Sequence, residues 1–158
     1  MELCDVVDQF GNRTGRIVER GTKLEPDEFY LVVQVWIRDE KNNYLIQQRG
    51  LQLKSGPGVW ATTAGYVIAG EESVDAAIRE VEEELGLQLL PIYLHRIDRH
   101  ALDNRVEDVW MADVIRNKIG TPTPGEEIAD YKWLSRDELE EWVKLGQFFR
   151  YSYHGRFF

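Results

Sequence analysis

Residues 65–87 read GYVIAGEESVDAAIREVEEELGL, and this stretch decides the fold. Ser73 is placed as an N-cap and Gly86 as the glycine that ends a helix, so a helix is predicted between them. At about 100° per residue, Val74, Ala77, Ile78, Val81 and Leu85 form one narrow apolar stripe that packs on a core. Glu80 and Glu84 fall one turn apart on a different face, with Glu83 beside them. Like charges at that spacing destabilise a helix, and a helix with only a structural task would gain from a lysine there. A charge run is usually a solvated face. The clustering of three carboxylates points instead to a cradle for a hard divalent cation, Mg²⁺ or Mn²⁺, which takes oxygen ligands and keeps positions open for water and phosphate.

The pattern Gly65, five residues, Glu71, seven residues, then Arg79-Glu80-Val81-Glu82-Glu83-Glu84-Leu85-Gly86-Leu87 matches the Nudix box at every defined position, and the chain resembles that family. The resemblance implies an α+β fold, an α/β/α sandwich with a mixed sheet and a metal-binding loop-helix-loop. It implies that Glu80, Glu83 and Glu84 bind metal and bear the catalytic base. It implies that the Gly65 carbonyl also reaches the metal, and that Arg79 orients the glutamates through Glu71 or Glu83. The alternative for Arg79 is an ordinary helix salt bridge. The reaction implied is hydrolysis of a diphosphate linkage by metal-activated water, on a nucleoside diphosphate derivative or similar small molecule.

Outward from the box, strands dominate. Leu3 to Asp8 reads as a strand ending in the turn Asp8–Asn12. Tyr30 to Ile37 reads as a strand covered on both faces, and Tyr44 to Gln48 pairs with it as a hairpin. Val59 to Thr63, Leu89 to Asp98, Val109 to Ile115 and Tyr131 to Leu134 read as further strands. Ser135-Arg136-Asp137-Glu138 is a capping box opening a second helix that runs to about Leu145. The aromatic tail after Gly146 carries no period. No linker or repeat divides the chain, so residues 1–158 are expected to form one domain.

Arg49 and Lys54, ahead of the box, are candidate phosphate-binding cations, with solubilising surface charge as the alternative. Trp60 suits a core or hairpin role better than base stacking. His95 and His100 lack metal-ligand spacing. The run Asp8, Gly11, Gly15, Arg20-Gly21 and Leu24, with Gln47-Gln48-Arg49, Lys54 and Gly58-Val59-Trp60, is similar to the Nudix branch containing isopentenyl-diphosphate isomerase. That raises an isomerase as a rival class. Its catalytic cysteine aligns with Gly65, which has no side chain, and its glutamate with Glu107, which then becomes a further candidate ligand, base or substrate contact. A non-catalytic nucleotide-binding Nudix domain is a third class, disfavoured by the intact glutamates.

The net charge is −9, and the window Glu71–Glu84 carries seven acidic residues against one basic residue. So acidic a chain is expected to avoid nucleic acid and anionic membrane. No apolar stretch is long enough to span a bilayer, and the first residues do not resemble a secretory signal. Cys4 is the only cysteine, which suits a reducing cytoplasm. Dimers are frequent in the family, so a homodimer is compatible with the resemblance.

Overall fold

The computed structural model describes residues 2–156. Strand β3 (Tyr30–Arg38) lies at the centre, with every residue from Tyr30 to Ile37 buried. On one side it pairs in parallel with β8 (Arg105–Asp113) along nine residues, and β8 pairs antiparallel with β7 (Leu94–Leu102). On the other side β3 has two partners in turn. β4 (Asn43–Arg49) pairs only at Ile37↔Leu45 and Arg38↔Tyr44. β6 (Thr63–Tyr66) takes over at Val32–Val35. β4, having left β3, pairs with β5 (Trp60–Ala61), and along its other edge it pairs throughout with β9 (Ile128–Ser135). The result, among the described residues, is a seven-stranded mixed sheet.

Helix α1 (Ser73–Leu85) covers one face, where Ala77, Val81 and Leu85 meet Val35, Ile37 and Leu45. Helix α3 (Arg136–Lys144) covers the other, its Leu139 packing with Trp36, Ile46 and Met111. The expected sandwich and mixed sheet are therefore present. The capping box of α3 is formed as read: Ser135 Oγ accepts from the Glu138 N–H, and Glu138 accepts from the Ser135 N–H.

Several boundaries differ from the sequence reading. A second strand, β2 (Arg13–Glu19), pairs with β1 (Leu3–Val7) to make a separate hairpin. It is exposed along almost its whole length, so no apolar alternation marked it. Leu89 and Leu90 precede a 3-10 turn at Pro91–Tyr93, and the strand starts only at Leu94. β8 begins at Arg105, ahead of the expected Val109. The segment Val59–Thr63 splits into β5 and β6, and a short helix α2 (Arg116–Ile119) follows β8.

The aromatic tail is core. Phe148, Tyr151 and Tyr153 are buried beneath the second face against Trp36 and Tyr44. Tyr153 Oη accepts from Trp36 Nε1 at 2.9 Å and donates to Gln34 Oε1 at 2.6 Å. Replacing Tyr153 by phenylalanine removes both bonds at a site sealed from water. Urea unfolding of Tyr153→Phe should show a loss of about 1–3 kcal/mol; an unchanged midpoint would contradict this anchoring of the tail.

Candidate active site

The box folds as a loop and a helix held by one guanidinium. Ser73 is not the N-cap: Glu72 holds the extended cap position without a side-chain bond, and Ser73 begins the helix. The Ser73 hydroxyl turns into the protein, donating to the fully buried Asp108 at 2.6 Å and accepting from Trp110 Nε1 at 3.0 Å. A serine before a helical run carries the same signal in either role, and the buried acid decides between them. Gly86 ends the helix in the left-handed region (φ 66°), as its position suggested.

The buried face of α1 is rotated relative to the expected stripe. It consists of Ala76, Ala77, Glu80, Val81 and Leu85, with Val74 and Ile78 only half-buried. Glu80 therefore points into the helix–sheet boundary, and Gly65 makes this possible. A Cβ on Gly65 would collide with the Glu80 carboxyl group.

Arg79 binds every part of the loop-helix unit. Its Nε and Nη2 grip Glu71 as a fork at 2.8 and 3.0 Å. Nη1 donates to Glu80 at 2.9 Å and to Glu83 at 3.3 Å, and Nη2 also donates to the Tyr66 carbonyl at 2.9 Å. The hydrogen bonds and charge of Glu71 and Glu80 push the guanidinium pKa further up. Both expected partners, Glu71 and Glu83, are engaged at once, so this is more than an i,i+4 surface pair.

Burial pushes the Glu80 carboxyl up to about 7, against the opposing pull of Arg79. It pushes Glu84 up to about 8, despite hydrogen bonds from Gln47 and the Ala64 N–H, and the charges of Glu80 and Glu127 raise it further. Glu83 is the outermost of the three, its side chain 57% exposed. The cluster thus holds more carboxylate than cation. The donors suit a hard divalent ion, which would relieve the charge that burial makes costly. Among the described residues no three acid, histidine or cysteine groups already converge as a finished ion site. Arg79 Nη1 lies between Glu80 and Glu83, so ion entry requires these side chains to re-aim.

Two further elements reach the site unforeseen. Glu127 sits on the loop between α2 and β9, close enough to raise Glu84. That loop is docked on the end of α1 by Thr123 N–H to Leu85 O and Gly125 N–H to Glu84 O. Only the adjacent acids Glu126-Glu127 after Pro124-Gly125 could have hinted at it. The β1–β2 hairpin grips the box loop through Ala69 N–H to Leu3 O (2.7 Å), Gly70 N–H to Asp5 (2.9 Å) and Arg13 to the Glu71 carbonyl (3.0 Å). The Arg20 guanidinium lies 4.2 Å above the Tyr66 ring.

The other candidates make no hydrogen bond to the box carboxylates among the described residues. Arg49 donates through Nε to the Ser55 carbonyl, and Lys54 is exposed on the same loop. Glu107 pairs with Val32, whereas Gly65 pairs with Val33, so Glu107 projects from the opposite face of the sheet. There it is buried and bonded to His100, Arg105 and Gln34, which removes it as a neighbour of the box. Trp60 packs edge-on against Trp142 in the second core, in keeping with a structural role.

The family model for the NUDIX domain matches residues 29–152. An uncharacterized Nudix hydrolase of Listeria monocytogenes is 31% identical over 159 residues, covering 100% of this chain and 94% of that protein. An isopentenyl-diphosphate Delta-isomerase of Dinoroseobacter shibae is 35% identical over 108 residues, covering 63% of this chain and 61% of the isomerase. In fold, a crystal structure from Deinococcus radiodurans superposes with a TM-score of 0.73 at 19% identity, covering 95% of this chain and 93% of that one. With its box complete and its similarity to a Nudix hydrolase running end to end, the chain belongs to the Nudix family and is a pyrophosphohydrolase.

Proposed function

We propose that the chain hydrolyses the diphosphate of a nucleoside diphosphate derivative, with Mg²⁺ or Mn²⁺ held by Glu80, Glu83, Glu84 and the Gly65 carbonyl. The observation that carries this is the cluster of Glu80, Glu83 and Glu84 with a single guanidinium on two of them, desolvation pushing Glu80 up to about 7 and Glu84 up to about 8. When bound, the cation supplies a water of lowered pKa and neutralises charge on the bridging phosphates. Glu83, the most exposed member, takes the proton of the attacking water. Glu127 faces the cluster from its loop and adds a carboxylate for the same ion or proton. Arg79, fixed by Glu71, holds Glu80 and Glu83 on its own guanidinium until the ion takes them over. Arg49, at the end of β4, and Lys54, on the loop that follows, hold the substrate's far phosphate. The whole chain acts as one catalytic domain. Among its described residues no helix is long and apolar enough to cross a membrane. The lone cysteine, Cys4, is buried and its thiol pKa is raised by desolvation, in keeping with an inert residue in the cytoplasm.

The isomerase alternative meets two obstacles. Gly65, aligned with the isomerase's cysteine, has no side chain to carry a proton. Glu107 is tied to His100 and Arg105 on the far face. Alkene isomerisation needs one group to add a proton and another to remove one, and the residues aligned with that pair cannot face a common substrate.

Three outcomes follow for activity. Excess chelator should abolish diphosphate hydrolysis and added Mg²⁺ or Mn²⁺ should restore it, read by product mass; undiminished turnover in chelator would sink the metal mechanism. Glu83→Gln should fold normally, by its thermal melt, and lose about 10²-fold or more in kcat. Near-normal turnover would reduce the cluster to a solvated face. Incubation with isopentenyl diphosphate in heavy water should leave the carbon skeleton free of deuterium, whereas deuterated dimethylallyl diphosphate formed in proportion to enzyme would establish the isomerase.

A further inference from the structure

The site's third carboxylate is held from a direction that the box does not supply. Where β4 leaves β3 and β6 replaces it, Gln47 and Thr63 face each other across the split, 3% and 2% exposed. Thr63 Oγ1 donates to Gln47 Oε1 at 2.9 Å, and Gln47 Nε2 donates to Glu84 Oε2 at 2.6 Å. We infer that Gln47, oriented by Thr63, is the positioning residue that aims Glu84 at the metal, an inference that rests on the metal-dependent function proposed above.

A buried primary amide has two ways round. Reversed, it would present its carbonyl oxygen to a carboxylate, and the two would repel. Glu84, which only accepts, draws Nε2 toward itself, and the Thr63 hydroxyl completes that orientation by donating to Oε1. Thr63 itself is well fixed: it is β-branched and lies opposite Val35 in the β3–β6 ladder. Its neighbour Thr62 donates its N–H to Tyr151 Oη at 3.0 Å and its hydroxyl to the Val35 carbonyl. The tail is thereby linked to Glu84 through Tyr151, the Thr62–Thr63 segment and Gln47. A neutral donor also has the right chemistry. Arginine or lysine at position 47 would neutralise Glu84 and compete with a cation, whereas an amide fixes one carboxylate oxygen and leaves the negative charge in place.

The test is Mn²⁺ binding, measured by the electron paramagnetic resonance signal of the free ion, on wild type, Gln47→Leu, Thr63→Val, Thr63→Ser and the Gln47→Leu/Thr63→Val double variant. Gln47→Leu should weaken binding about 10- to 100-fold, the usual effect of losing such an outer partner. Thr63→Val should weaken it less and Thr63→Ser should restore it. The double variant should bind no worse than Gln47→Leu alone, because Thr63 acts only through the amide. At saturating metal, KM for a hydrolysed diphosphate should stay unchanged while kcat falls. Thr63→Val is isosteric and keeps the measurement open if Gln47→Leu does not fold. Wild-type Mn²⁺ affinity in either folded single variant, or additive losses in the double, would overturn the role of Gln47. Absence of Mn²⁺ binding by the wild type would instead remove the metal-dependent function itself, and this inference with it.

Discussion

Desolvation of two neighbouring carboxylates is the constraint around which the rest of the molecule is arranged. Glu80 and Glu84 project from α1 toward the sheet, where water would otherwise spread their charge. A carboxylate so placed rises in pKa unless something compensates it, and the charge of Glu80 raises Glu84 further. Three features make the arrangement tolerable. Gly65 leaves space for the Glu80 carboxyl group, Arg79 supplies one positive charge, and Gln47 with the Ala64 N–H supplies neutral donors to Glu84. The remaining charge is what the proposed divalent ion would satisfy.

Much of the surrounding structure serves to hold those groups still. Glu71 does not face the cluster. It grips Arg79 from behind and accepts the Ile68 N–H, which ties the loop to the guanidinium. The N-terminal hairpin closes over the same loop by backbone and side-chain bonds, and the α2–β9 loop closes over the other end of the helix. The catalytic unit is therefore clamped at both ends by segments distant in sequence.

The helix was legible because its signals are local: an apolar stripe at helical spacing and a glycine that ends it. The clustered glutamates suggested a cation cradle, whereas the parts given to Gly65 and Arg79 came from the resemblance to the Nudix box. The central strand was legible because Tyr30–Ile37 is apolar on both faces, and α3 because its capping box is a four-residue signal. What escaped depended on distant partners. β2 is exposed and pairs only with β1, so it carries no apolar period. The tail residues Phe148, Tyr151 and Tyr153 lie in irregular chain, and their burial depends on Trp36 and Tyr44. Glu107 looked like a candidate because alignment ignores the sheet's alternation, and a shift of one residue in register changes the face. Glu127 and Gln47 have ordinary neighbours in sequence; only the loop docking and the β3–β4 split bring them to Glu84.

The central claim is that this cluster directs water onto phosphorus. Turnover of a panel of nucleoside diphosphate derivatives in ¹⁸O-labelled water with Mg²⁺, read by product mass, tests it most directly. The account predicts one labelled oxygen per turnover in a phosphate-bearing product. Label in the alcohol fragment with unlabelled phosphates, or no turnover of any compound in the presence of Mg²⁺, would contradict it.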